Sequence, residues 1–210
     1  MKILKIVLSV LLIGLFANAS ADALSDFNAK ASAKVKKIVN DNKLVVVDFD
    51  YVNKAIGKGT RKTAKALVLD ARPMKKYQIS HIPSSRALPD TKFKKMYKDV
   101  LKGVPKDKEI ITFCGGFKCA KSPKLSLMLM KEGYTDVKVY AAGMPDWKKQ
   151  SYGEMHIKIA KAMFDKNSAT FVDARPNMKF KKGTITGAVN VPDNKFDKFK
   201  TNLPTDKKKA

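Results

Sequence analysis

The chain has 210 residues, of which 44% are hydrophobic and 9% aromatic, and its formal net charge is +24. This composition excludes a wholly disordered polymer and permits one large or two small folded domains. Because the positive residues are nearly all lysines spread along the chain, the charge indicates a solvated surface that attracts small anions, rather than one concentrated basic site.

The N-terminal residues have the pattern of a secretory signal peptide. Two lysines precede an apolar run at residues 6–17, and a stretch of small residues follows. The Ala-x-Ala motif occurs three times in this stretch, ending at Ala19, Ala21 and Ala23. The run is too short for a membrane span. We therefore predict a signal peptide at residues 1–21 and a mature protein that is periplasmic or secreted, with no membrane span. Export also separates the chain from most nucleic acid, so we expect no nucleic-acid partner.

Short apolar runs alternate with helical patterns along the chain. The runs predict strands that are buried on both faces of a parallel sheet, at Leu44–Asp48, Ala66–Asp70, Glu109–Phe113 and Val137–Ala141. The helical patterns lie between them, at Tyr51–Ile56, Lys92–Leu101 and Pro123–Glu132. Ser122 is the predicted N-cap of the last helix, and Gly133 follows its end. The alternation predicts an α/β layer fold.

The chain also repeats itself. Asp70–Pro73 and Asp173–Pro176 both read Asp-Ala-Arg-Pro, an offset of 103 positions (70 to 173), and the same offset relates Phe93 to Phe196. Such an in-phase series predicts a tandem repeat. After a short deletion, the counterpart of Cys114 would fall beyond the last residue. We therefore expect an incomplete second copy, as in a fragment of a longer tandem protein.

These patterns divide the chain into four predicted segments. They are a signal peptide at 1–21, a lead-in at 22–39, a complete unit at 40–153 and an incomplete unit without a catalytic cysteine at 154–210. The complete unit contains both cysteines of the chain, within what we call the cysteine loop (residues 114–121). A disulfide between cysteines so close in sequence would close a very small ring and stabilise the fold little. A chemical role for the pair is therefore favoured.

The cysteine loop has the residue types that stabilise a reactive thiolate. Cys114 follows a predicted strand and precedes a helix, at the end of the sheet where open α/β folds bind ligands. Gly115 and Gly116 permit a tight turn with inward-facing amides, while the helix N-terminus, Lys118 and Lys121 add positive charge. We therefore expect an accessible thiolate at Cys114, which can attack a sulfane sulfur and become a persulfide.

Three ordered signatures between Leu44 and Trp147 resemble those of rhodaneses, a family of sulfurtransferases. The first is Asp70–Pro73 with Tyr77 and His81, the second is the cysteine loop before its helix, and the third is a Gly-x-x-x-Trp motif after the last strand, from Gly143. The second unit matches only the first signature.

The resemblance implies a five-stranded parallel sheet with helices on both faces, plus a partial second copy. It also implies sulfur transfer through Cys114, from a small anionic donor of the thiosulfate or polysulfide type to a thiol or cyanide-like acceptor, without a cofactor. The predicted substrate-binding residues are the rest of the loop, namely Gly115, Gly116, Phe117, Lys118, Cys119, Ala120 and Lys121. The predicted supporting residues are Asp70, Arg72, His81 and Trp147.

Structural roles are equally compatible with the supporting residues. Asp70 and Arg72 can form an ion pair, His81 can order a turn by hydrogen bonding, and Trp147 can pack in the core. No metal site is predicted, because only two histidines accompany the two thiols.

Cys119 stands where many rhodaneses have an arginine. It is either a resolving thiol, which attacks a persulfide on Cys114 and releases sulfide, or a filler of the loop. Two alternatives to a sulfurtransferase remain open from the sequence. One is a thiol–disulfide oxidoreductase that uses both cysteines, and the other is a non-catalytic rhodanese-fold sulfur carrier or binding module.

Overall fold

The computed structural model describes residues 21–205, which divide into two compact units. The first unit contains the residues up to Arg72 together with Ser84–Ser151, and the second contains Pro73–Pro83 together with the residues from Tyr152 onward. The predicted signal peptide, apart from Ala21, lies outside the described residues. Within residues 21–205, no helix is long and apolar enough to cross a membrane.

The first unit is built on a five-stranded parallel sheet in the order β1-β5-β4-β2-β3. The strands are β1 Val45–Val46, β2 Leu67–Asp70, β3 Arg86–Ala87, β4 Ile110–Phe113 and β5 Val137–Tyr140. All residues of the central strands β4 and β5 are buried, and most of them are apolar, with Thr112 and Lys138 as the buried polar residues. This confirms the predicted fold class. The apolar runs did not predict β3, since a two-residue strand that contains an arginine is not an apolar run.

Helices flank the sheet of the first unit, and the second unit has helices of its own. Their bounds are α1 Ala21–Lys30, α2 Ala33–Asp41, α3 Phe49–Ile56, α4 Met74–Ile79, α5 Phe93–Val100, α6 Lys121–Lys131, α7 Gly143–Gln150, α8 Ile157–Asp165, α9 Asn177–Lys182 and α10 Phe196–Phe199. Short 3₁₀ turns lie at Asp90–Lys92, Asp193–Lys195 and Lys200–Asn202. Most belong to the first unit, whereas α4, α8, α9 and α10 belong to the second.

Helix α6 packs against the two central strands. Its side chains Leu125 and Leu129 are fully buried in one apolar cluster with Leu69 and Ile110 of the sheet. The predicted lead-in segment forms α1 and most of α2, and it contributes Phe27 and other apolar side chains to a second cluster of this unit. The segment before the repeat is therefore part of the core rather than a simple connection.

The second unit repeats the local geometry of the first. Its strands, β6 Val172–Asp173 and β7 Val189–Asn190, pair in parallel with Val172 opposite Val189, as Leu69 lies opposite Arg86 in the first unit. Both pairs are related by the offset of 103 found in the sequence. The shared strand register confirms that the chain contains two copies of one structural motif.

Candidate active site in the cysteine loop

The cysteine loop connects the end of β4 to the start of α6 and packs against the turn after β5. Cys114 directly follows the last residue of β4, and its carbonyl oxygen accepts a 3.0 Å hydrogen bond from the backbone amide of Met144. At the other end of the loop, the amide of Cys119 donates a 2.8 Å hydrogen bond to the carbonyl of Gly116. This turn folds the chain back, which brings the two cysteine side chains together although four residues separate them.

Gly143 makes the close packing of these two segments possible. Its φ is +60°, in the left-handed region, and a Cβ at this position would overlap the carbonyl oxygen of Cys114 and lie 2.9 Å from the amide nitrogen of Gly116. Only a residue without a side chain therefore fits here. In the sequence this glycine is recognisable only as part of the third signature, and its local pattern does not mark it as a residue that shapes the loop.

The sulfur of Cys114 lies at the bottom of the loop and has no exposed surface. Its Sγ is 3.1 Å from the carbonyl oxygen of Cys119 and 3.1 Å from the hydroxyl of Ser122, whose backbone amide also faces the sulfur. Ser122 was predicted as the N-cap of α6. That prediction is wrong, because the helix begins at Lys121 and the hydroxyl is directed at the cysteine instead of capping a helix amide.

Cys119 lies closer to solvent and receives the positive groups of the loop. It is partly exposed, and neither cysteine is in a disulfide. A hydrogen bond from the thiol of Cys114 lowers the pKa of Cys119 to about 6, and the backbone amides of Gly115 and Lys121 and the charge of Lys121 contribute, against the opposing effect of burial. The converging amides therefore stabilise a thiolate on Cys119.

The pKa of Cys114 shifts in the opposite direction. It is raised far above the usual range by the hydrogen bond to Cys119, by burial and by the negative charge on Cys119, which together outweigh the two donors of Ser122. The two cysteines thus titrate as a pair, and their contact pushes the two pKa values apart. The expectation of an accessible sulfur at Cys114 is wrong for this structure, since the residue has no exposed surface. The catalytic role of Cys114 stays a prediction.

A pocket of about 420 Å³ adjoins the first half of the cysteine loop. Its lining residues from the loop are Gly115, Gly116, Phe117 and Lys118. Helices α1 and α7 provide further charged groups on its walls, among them Lys30, which is paired with Asp26 at 2.7 Å, and Lys149. Four of the predicted substrate-binding residues therefore line one concave surface, which also carries the carboxylates of Asp26 and Asp146.

The remaining loop residues have other contacts. Lys121 forms an ion pair with Asp90 at 3.1 Å, and Ala120 packs with the apolar cluster around α1 and α2. Within residues 21–205, no group of three or more His, Cys, Asp or Glu side chains is arranged to hold a metal ion.

The sequence model of the Rhodanese-like domain matches two segments of the chain, residues 48–150 and 156–210. The chain belongs to the rhodanese-like domain family. The two matched segments coincide with the two copies seen in the sequence and in the strand register. No curated protein matches this rhodanese-like chain.

Several solved structures resemble it in fold. The thiosulfate sulfurtransferase from Pseudomonas aeruginosa is 18% identical, with a TM-score of 0.45, over 72% of this chain and 32% of that one. The BH2092 protein from Bacillus halodurans is 25% identical, with a TM-score of 0.47, over 58% and 85% of the two chains. SseA from Escherichia coli, described as having the rhodanese fold, is 20% identical, with a TM-score of 0.44, over 71% and 74%. The chain thus spans about a third of the Pseudomonas protein.

The Asp-Ala-Arg-Pro motif of this rhodanese-like unit forms a buried ion pair beside the loop. Arg72 binds Asp70 through its Nη2 atom at 2.6 Å and through its Nε atom at 2.9 Å, and the aspartate is fully buried. The guanidinium also lies 5.6 Å from the ring centre of Phe113, the residue before Cys114. The pair therefore fixes the end of β4 from which the loop departs, which is a positioning role.

The other two supporting residues also have structural contacts. His81 belongs to the second unit, where its ring stacks on Tyr77 at 3.9 Å and its Nδ1 atom is 2.9 Å from the carbonyl oxygen of Tyr77. Trp147 is fully buried, with its ring centre 5.0 Å from that of Phe49. These contacts agree with the structural interpretations of both residues.

Proposed function

We propose that the chain is an exported sulfurtransferase, which moves sulfane sulfur from a thiosulfate- or polysulfide-type donor to a thiol or cyanide-like acceptor. The transfer proceeds through a persulfide in the cysteine loop. The observation that carries this proposal is a pair of free thiols at the carboxyl end of β4, where the hydroxyl of Ser122 lies 3.1 Å from the sulfur of Cys114 and backbone amides of the loop lower the pKa of Cys119. A thiolate in this environment is the nucleophile that sulfane chemistry requires.

The electrostatics of the chain support anionic donors. The net charge of +24 raises the local concentration of small anions, and Lys118 and Lys149 lie on the wall of the pocket beside the loop. The cysteine at position 119 leaves no arginine to grip thiosulfate bidentately. This favours polysulfides and hydropersulfides over thiosulfate as donors.

Export is proposed from the N-terminal sequence alone. The pattern of residues 1–21 directs the chain to the periplasm or the medium, where sulfane compounds and not nucleotides would be its small anionic ligands. N-terminal sequencing of the protein from a periplasmic fraction tests this part separately. A protein that retains Met1 in the cytoplasm would contradict export without affecting the sulfur chemistry.

The activity is tested by turnover with two donors. The mature protein is incubated with thiosulfate or inorganic tetrasulfide, and with cyanide or glutathione as acceptor, while thiocyanate or glutathione persulfide is measured. The double variant Cys114→Ser/Cys119→Ser is the matched background. We expect a cysteine-dependent rate with tetrasulfide that exceeds the rate with thiosulfate. Rates equal to that of the double variant with both donors would refute the proposal.

One observation favours a second candidate function. The hydrogen-bonded thiols of Cys114 and Cys119 have the low-pKa partner and the proton-bearing partner that thiol–disulfide exchange uses. A thiol–disulfide oxidoreductase would exchange with glutathione disulfide and form an internal disulfide, but it would transfer no sulfur from tetrasulfide to an acceptor. The same set of assays therefore separates the two functions.

A further inference from the structure

We infer that the first unit binds a small, fully ionised dianion of the sulfate or thiosulfate type in a second pocket, away from the cysteine loop. This pocket, which we call the arginine pocket, has a volume of about 340 Å³. Its cationic side chains are those of Arg61, Arg86 and Lys108. The inference goes beyond the proposed sulfur transfer, because none of these residues belongs to the cysteine loop.

The arginine pocket lies at the end of the sheet opposite the cysteine loop. Its lining residues include Leu67, the first residue of β2, and Lys108, which precedes β4. Because β2 and β4 are parallel, both residues mark the amino ends of their strands. Cys114 follows the carboxyl end of β4, six positions after Lys108. At about 3.3 Å per residue of extended chain, roughly 20 Å separates the pocket from the cysteine, so the two sites are distinct.

The use of arginine distinguishes this pocket from the rest of the basic surface. Only four of the 43 basic residues of the chain are arginines. Two of them, Arg72 and Arg175, bind the aspartates of the repeated motif. The other two both line the arginine pocket. A guanidinium presents its N–H donors in a plane that matches the oxygen atoms of an oxyanion, so this pair is suited to anion recognition rather than to general solubility.

Both guanidinium groups are held by the backbone and keep further donors for a ligand. Arg86 is half-buried, and its Nη1 atom donates a 2.6 Å hydrogen bond to the carbonyl oxygen of Val100. Arg61 is exposed, and its Nη2 atom donates a 3.3 Å hydrogen bond to the carbonyl oxygen of Ser85. Within the part of the chain that the structure describes, these bonds use one nitrogen of each guanidinium. The remaining N–H groups can therefore bind oxygen atoms of an anion.

The other walls of the pocket favour an anion that carries no proton. In residues 21–205, no Asp or Glu lines the pocket, so its positive charge is not neutralised there. Ala66, Leu67 and Val104 contribute apolar surface, which strengthens the attraction of an anion by excluding water. Hydrogen phosphate needs an acceptor for its own proton, whereas sulfate and thiosulfate need only donors. Cationic donors without a carboxylate acceptor therefore favour the sulfur oxyanions.

The second unit shows that the strand pair does not require an arginine in β3. At the offset of 103 positions (86 to 189), Arg86 corresponds to Val189. Val189 has the same place in the register of β6 and β7 that Arg86 has in the register of β2 and β3. The pairing forms with valine, so the guanidinium of Arg86 serves a purpose other than strand pairing.

Isothermal titration calorimetry with sodium sulfate, and separately with sodium phosphate, tests the inference. An ionic strength of about 0.15 M screens the diffuse attraction of the net charge. Four forms of the mature protein are compared, namely the wild type, Arg86→Val, Arg61→Met and Lys34→Met. Arg86→Val introduces the residue of the second unit, and Lys34→Met removes one charge from an exposed position of α2 as the matched control. Circular dichroism checks the folding of each form, and Arg61→Met, at an exposed position, provides the test if Arg86→Val does not fold.

We expect the wild type to bind one sulfate per chain, more tightly than phosphate. Each arginine variant should bind sulfate about 10- to 100-fold more weakly, because charge-assisted hydrogen bonds are lost, and Lys34→Met should bind it as the wild type does. No saturable sulfate binding by the wild type, unchanged binding in the arginine variants, or an equal loss in Lys34→Met would overturn the site. Phosphate binding as tight as sulfate binding would overturn the preference for an unprotonated anion. All of these results are independent of the cysteine variants that test sulfur transfer.

Discussion

Gly143 offers a measurement of how tightly the cysteine loop is held. The substitution Gly143→Ala introduces a Cβ that overlaps the carbonyl oxygen of Cys114 and lies 2.9 Å from the amide nitrogen of Gly116, at a φ of +60°. Left-handed backbone at a residue with a side chain costs about 1–2 kcal/mol. Forcing an extra methyl group into packed structure adds about 1–3 kcal/mol. We therefore expect a loss of roughly 2–5 kcal/mol in the free energy of unfolding.

Gly103→Ala is the matched control for this substitution. Gly103 also has a positive φ, +73°, but a Cβ there would have no neighbour within 4 Å. Gly103→Ala has the energetic cost of left-handed backbone without the overlap, so we expect it to lower the free energy of unfolding by about 1–2 kcal/mol. The difference between the two variants isolates the contact between Gly143 and the loop.

Urea unfolding followed by tryptophan fluorescence provides the measurement. The chain has one tryptophan, Trp147, which is fully buried in the same helix as Gly143, so its emission reports the unfolding of the first unit. Sulfur transfer should fall about 10- to 100-fold in Gly143→Ala, since a displacement of the loop by about 1 Å misplaces the reacting sulfur. Equal stability losses for the two variants, together with unchanged transfer by Gly143→Ala, would refute this account of the loop.

Three further predictions address charge, hydrogen bonding and the repeated ion pair. The rate of persulfide formation should rise as the pH increases through about 6, where the Cys119 thiolate forms, whereas a free thiol would show this rise near about 8.5. Cys119→Ser should remove this dependence in a stopped-flow pH profile. Ser122→Ala should slow sulfur transfer about 5-fold through loss of one hydrogen bond to the buried cysteine, whereas Ser126→Ala, one turn further along the helix, should not. Arg72→Met should lower the free energy of unfolding by about 3 kcal/mol, since it leaves the buried carboxylate of Asp70 unpaired. Arg175→Met should have a smaller effect, because that arginine is half exposed. Urea titrations of both variants provide the comparison.

The sequence predicted the central part of the fold because its strands are buried on both faces. Such strands are runs of mainly apolar residues, and the predicted Glu109–Phe113 differs from the observed β4 by one residue. The boundaries between strands and helices were less predictable. Asp48 was assigned to the first strand, but its side chain accepts a 2.9 Å hydrogen bond from the amide of Tyr51 and caps α3. A short polar side chain at a boundary fits either element, and only the tertiary position of the strand decides between them.

The sequence predicted the position of the site more successfully than its chemistry. Glycines after an apolar run identified the loop, and the motif with Asp70 identified its neighbour. The positive groups of the loop were assigned to Cys114, because the local sequence shows which groups are near in the chain but not that the backbone amides of Gly115 and Lys121 act on Cys119. Ser122 illustrates the same limit. A serine before a proline is a usual N-cap signal, but here the helix starts two residues earlier than predicted and the hydroxyl binds the sulfur.

The two copies of the Asp-Ala-Arg-Pro motif show what the cysteine loop adds to a common scaffold. In both units the arginine binds the aspartate in the same two-atom arrangement, with Nη2–Oδ2 distances of 2.6 Å for Arg72 and 2.5 Å for Arg175. The ion pair is thus a property of the strand pair and requires no sulfur chemistry. Only in the first unit is the aspartate fully buried, with the arginine against the strand that leads into the loop. The sulfur chemistry proposed for the first unit therefore belongs to the cysteine loop, and replacing either cysteine should change that chemistry while the scaffold remains folded.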